Sequence, residues 1–93
     1  MARYVTLIRF TSEGVHNIRK SSDRGAAFIK AAEKAGVKVE SQLWTTGAWD
    51  GILILSGEEK KVLRCISQLA ALGNVHTESM RAFDAAEFKE ITG

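Results

Sequence analysis

The run Ile52-Leu53-Ile54-Leu55 is apolar at every position. A strand with no alternation is covered on both faces. A turn signal, Gly47-Ala48, leads through Trp49-Asp50 into it. The third strand is therefore expected over Trp49 to Leu55, with a second covering layer on each side of the sheet.

The rest of the chain switches between two periods. Arg3 to Phe10 reads as a strand, with Tyr4, Val5, Leu7, Ile8 and Phe10 spread over both faces. Thr11 or Ser12 then caps a helix, and Glu13 falls in its positive first turn. Val15, Ile18, Ser22, Ala26, Ile29 and Ala32 recur at helical spacing. The segment Ser21-Ser22-Asp23-Arg24-Gly25 is poor helix material. A kink or break is expected there, with the better helix from Gly25 to Ala35. Gly36 is a natural stop, because glycine takes the left-handed conformation without steric cost. Val37 to Thr46 alternates as a second strand. Ser56-Gly57-Glu58-Glu59 carries the S-x-x-E pattern of a capping box and opens a helix with Val62, Leu63, Ile66, Leu69 and Ala70 on one face. Gly73-Asn74 ends that helix. Val75 to Phe83 is a fourth strand. Asp84-Ala85-Ala86-Glu87 is a second capping pattern, starting a short tail helix with Phe88 and Ile91.

The order β-α-β-β-α-β plus a terminal helix is that of an α+β, ferredoxin-like domain. Right-handed crossovers put both long helices on one face of an antiparallel sheet. Trp44, Met80 and the neighbourhood of Trp49 are expected on the other face, although a one-residue bulge would swap the faces. A bare apolar face is a large exposed patch. Pairing two such faces gives a dimeric α+β barrel with a cavity between the sheets. A homodimer or higher homo-oligomer is expected.

Length and charge narrow the functional classes. Residues 1–93 suit a single domain, and a hydrophobic fraction of 45% suits a folded one. The net charge of +2 comes from scattered bases, among them Lys20, Lys30, Lys38 and Lys60, interleaved with acids. A nucleic-acid footprint needs a clustered basic stripe, so no nucleic-acid partner is expected. No apolar run approaches the ~20 residues of a membrane span, and the opening MARYVTLIRF reads as a strand, not a signal peptide. No membrane partner and a cytoplasmic location are expected. A single cysteine, Cys65, leaves no internal disulfide and no cysteine cluster for a metal.

Thr46-Gly47-Ala48-Trp49-Asp50 resembles the G-x-Y-D signature of the GYD domain family, with Trp49 in place of tyrosine. That change keeps the aromatic ring and removes its hydroxyl. Tyr4 to Gly14 is similar to the family's opening strand and its T-x-E-G approach to the first helix. Leu72 to Phe83 is similar to its helix end and last strand, and Glu87-Phe88 to its E-F tail. The resemblance runs in order over nearly the whole chain. It implies a dimeric α+β barrel and no established common activity. Barrels of that kind include cofactor-independent monooxygenases, haem-degrading enzymes and lactone isomerases, a likeness of fold that does not carry function.

The chemistry-bearing residues each admit two readings. Asp50 is either a general base at a cavity mouth or a turn aspartate accepting backbone N–H bonds. Trp44 and Trp49 either stack on a flat ligand or fill an interface. His16 and His76 are either acid–base groups, or axial haem ligands, or exposed residues without a role. Arg9 and Glu78 either pair to hold a polar substrate group or form a structural ion pair. Cys65 reads as a buried, inert thiol. The catalytic candidates are thus Asp50, His16 and His76, and the ligand-binding candidates Arg9, Trp44, Trp49, Glu78 and Met80. No metal spacing is present, and no cofactor is expected. The functional expectation is a protein that binds a small molecule between its sheets, with any catalysis being cofactor-independent and acting on a small organic compound. The alternative is a non-catalytic structural or regulatory oligomerisation module.

Overall fold

The computed structural model describes residues 1–93. The elements are β1 (Ala2–Phe10), α1 (Ser12–His16), a 3-10 turn (Ile18–Lys20), α2 (Ser21–Lys34), β2 (Lys38–Trp44), β3 (Gly51–Gly57), α3 (Glu59–Ala71), β4 (Val75–Ala82) and α4 (Ala85–Thr92). The four strands form one sheet in the order β2-β3-β1-β4, with every pair antiparallel. This is the ferredoxin-like α+β arrangement the element order predicts. No helix is long and apolar enough to cross a membrane.

The core lies between the sheet and the helices. Tyr4 and Thr6 of β1 and Leu53 and Leu55 of β3 are buried there with Ala32 of α2 and Val62, Cys65 and Ile66 of α3. Thr6, fully buried, shares a 2.9 Å hydrogen bond with its cross-strand partner Ser79, so its hydroxyl is satisfied. The period of two then sends Val5, Leu7, Ile52 and Ile54 to the opposite face. The register sets Val5 beside both Ile54 and Met80, and Ile52 beside Leu7 and Leu43. Nothing in the chain covers this stripe, and Met80 and Leu43 are exposed.

Several local expectations need correction. The break between the first helices falls at Asn17 to Lys20, not at Ser21 to Gly25. Because α2 starts afresh after the 3-10 turn, its inner face is Gly25, Phe28 and Ala32, and Ala26 points outward. Gly25 belongs in the helix for a packing reason. A Cβ there would lie 3.0 Å from the Trp44 ring and 3.1 Å from the Gln42 amide, so glycine lets α2 lie close on β2. In α3, Leu63 and Ala70 are exposed and Cys65 takes the inner face.

The Ser56 capping box does not form. Ser56 pairs with Arg3 and Lys38, so β3 runs on to Gly57. Glu58 is the cap instead, its carboxylate accepting from the Lys60 and Lys61 N–H groups. At the other end β3 starts at Gly51, since Trp49 and Asp50 belong to the turn. The Thr45 hydroxyl donates to Trp49 O at 2.7 Å and the Thr45 N–H to Asp50 O at 2.9 Å. The Asp84 capping box does form. Asp84 Oδ1 accepts from the Glu87 N–H at 2.8 Å, and Glu87 Oε1 accepts from the Asp84 N–H at 3.0 Å.

Candidate functional site

A cavity of about 360 Å³ lies within a single chain, between the sheet and helices α2 and α3. Its walls are mostly apolar, with Phe10, Phe28, Trp44, Leu53 and Leu69 among them. The small residues Ala27, Ala31 and Ala32 on α2 leave the space open.

One wall is set by the end of β2. A β-bulge at Glu40, between Val39 and Ser41, shifts the alternation of that strand by one residue. Trp44 is thereby turned to the helix side, where its indole N–H donates to Ser21 Oγ at 2.9 Å. Gln42 faces the same way and donates from Nε2 to Gly25 O at 3.1 Å. These two bonds fasten the edge strand to the start of α2. The expectation that Trp44 lies on the open sheet face is therefore corrected.

The mouth is set by Asp50. Its Oδ2 accepts from the Phe10 N–H at 2.8 Å, and its own N–H donates to Ile8 O at 2.8 Å. This is the backbone-bonding arrangement of a turn aspartate. Asp50 lines the cavity as well, and with Phe10, Ser21 and Trp44 it also lines a shallower depression just outside, next to Ile18 and Thr45.

Two further groups in the lining carry chemistry. Arg24 Nη1 donates to Asn17 O at 2.9 Å. Its Nη2 is sealed from solvent and has no partner. Unsatisfied buried donors are rare in folded proteins. Cys65 is buried, and burial pushes its thiol pKa up, only partly offset by the nearby Arg64 charge. It is a wall group and not a nucleophile.

The other site residues lie elsewhere. Arg9 stacks on the Trp49 ring, 4.5 Å from its centroid, and its Nε donates to Ala48 O at 3.2 Å. Glu78 sits beside Leu7 and Met80 beside Val5 on the open face, and His76 is paired with Arg9 in the register. Arg9 and Glu78 share the face without an ion pair; Arg3 makes the ion pairs of the chain, to Glu40 at 3.0 Å and Glu87 at 3.5 Å. His16 ends α1 at the surface. Asp50, His16 and His76 are thus not brought together. No group of three or more His, Cys, Asp or Glu side chains is placed to hold a metal ion. Sequence reasoning missed Arg24, Phe28 and Phe10 as wall residues. The one available signal was Gly25, which marks a close approach of backbone to a neighbour.

The family model of the GYD domain matches residues 4–92, essentially the whole chain. No curated protein matches it, and no solved structure does.

Proposed function

We propose that this chain, which belongs to the GYD domain family, binds a small, largely apolar molecule in the cavity between its helices and its sheet. The observation that carries this reading is the cavity itself, about 360 Å³ of apolar space with Arg24 and Asp50 in its lining. Small-molecule sites occupy roughly 300–1,000 Å³ and combine apolar walls with a few polar groups. Asp50 is already bonded to the backbone of β1, and neither histidine lies in the lining. Those positions favour binding over acid–base catalysis.

Dimerisation through the open sheet face belongs to the same reading. Val5, Leu7, Ile52, Ile54 and Met80 form an apolar centre, and Arg9 and Glu78 give that face both signs of charge. A two-fold interface must be complementary to itself, and a face carrying both signs meets that need. The face also favours a second reading, an oligomerisation module with no ligand.

Native mass spectrometry of gently purified protein separates the two. A ligand-binding protein shows an oligomer with an added small mass, and Ala31→Trp, which fills the cavity, removes the added mass and leaves the oligomer. An oligomer with no added mass, and no change on Ala31→Trp, supports the module instead.

A further inference from the structure

We infer that the molecule held in this cavity is a small aromatic acid whose carboxylate pairs with the Arg24 guanidinium; the inference rests on the cavity being a binding site. Arg24 is the one cation in the lining. A single hydrogen bond to Asn17 O engages its Nη1, and its Nη2 is covered by the protein with no acceptor, so it meets a ligand once the side chain turns. Neither ion pair of the chain involves it. Arg24 is half-buried, and a carboxylate beside it would make a charge-assisted hydrogen bond. Asp50, the one carboxylate in the lining, does not supply that charge, since it lies beyond ion-pair distance and its Oδ2 is held by the Phe10 N–H. No carboxylate of the chain pairs with Arg24, which leaves its charge available to one on a ligand.

Shape narrows it further. The guanidinium presents parallel N–H groups that match the two oxygens of a carboxylate. Its hold on Asn17 is one bond on a flexible side chain, so the fork can turn toward an entering acceptor. Phe10, Phe28 and Trp44 offer ring faces and edges to a flat body. Asp50 in the same lining disfavours a second negative group, so the ligand is a monoacid.

The test uses the full chain with Trp49→Phe, which leaves Trp44 as the only tryptophan. Trp49 lies against Arg9 and not in the cavity, so the substitution spares the site. The probes are 2-naphthoate and its neutral isostere 2-naphthamide, titrated against Trp44 emission. The acid is expected to bind about tenfold more tightly than the amide, the worth of one hydrogen bond to a charged group. Arg24→Met is expected to erase that preference and keep the amide affinity. Equal binding of acid and amide overturns the inference and leaves the cavity reading standing. A preference that survives Arg24→Met overturns the assignment to Arg24. Failure of both probes to move Trp44 emission overturns the cavity reading and this inference with it. The acid-to-amide ratio of the parent is read without any Arg24 variant, so the decision stands even where Arg24→Met does not fold.

Discussion

Asp50 Oδ2 accepts a 2.8 Å hydrogen bond from the backbone N–H of Phe10. The bond ties the start of β3 to the end of β1, where Asp50 N–H also meets Ile8 O. It holds the mouth of the cavity in place.

Asp50→Ala leaves the partly buried Phe10 N–H without its partner and is expected to cost about 1–3 kcal/mol. Asp50→Asn keeps an acceptor oxygen and is expected to cost less than half of that. Urea denaturation of the two variants checks the order, and equal losses would show that the hydrogen bond is not what Asp50 contributes.

Leu53 and Ile54 are neighbours with opposite duties. Leu53 is 2% exposed and faces the helices, whereas Ile54 faces away from them. Leu53→Lys puts an unpaired charge into the core and is expected to unfold the chain. Ile54→Lys is expected to keep the circular dichroism of the fold and, if the unaltered chain forms the proposed dimer, to sediment as a monomer in sedimentation velocity. A dimer that survives Ile54→Lys would rule out pairing through this face.

Gly14 is buried in α1, and a Cβ there would run into the carbonyl oxygen of Asn74. That oxygen already accepts from the Thr11 N–H at 3.1 Å, so the loop before β4 has little room to retreat. Gly14→Ala is expected to destabilise by about 1–3 kcal/mol, the usual cost of overpacking. Thermal melts beside the exposed control Ser12→Ala test this, and an unchanged midpoint for Gly14→Ala would refute it.

The Arg3 guanidinium, hydrogen-bonded to Glu40 at 3.0 Å, holds that carboxyl below its ordinary range, with Ser56 and Lys38 helping and desolvation opposing. A carboxylate with a lowered folded pKa adds stability above its unfolded value, and that addition is lost as pH falls through the folded one. In a carboxyl-carbon NMR titration, Glu40 should therefore titrate below its ordinary value, and Arg3→Met should raise it. A normal Glu40 titration in the unaltered chain would contradict the pairing.

The kind and order of the elements were legible because they rest on local periods. Tyr4 to Phe10 is a short apolar-rich run, Val62 and Ile66 fall one turn apart, and Gly36 and Gly73 stop their helices with φ of +81° and +83°. The Asp84 capping box was legible for the same reason, since all its partners lie within one turn. Ser56-Gly57-Glu58-Glu59 has the same local form, yet pairing of Ser56 with Arg3 and Lys38 overrides it. That competition involves residues far apart in the chain, which a local pattern does not record.

The sequence by itself determined the fold, the apolar stripe on β3 and the family, because hydrophobic period, glycine positions and a short signature are properties of neighbouring residues. Only the tertiary structure decided where the cavity lies. One extra residue at Glu40 turns Trp44 from the open face to the helix side. The fresh start of α2 at Ser21 brings Arg24 to the same space without a charge partner. Both outcomes depend on how separate elements meet. A single inserted residue in a strand inverts every side chain after it, and whether a charge meets a partner is settled only when separate elements come together.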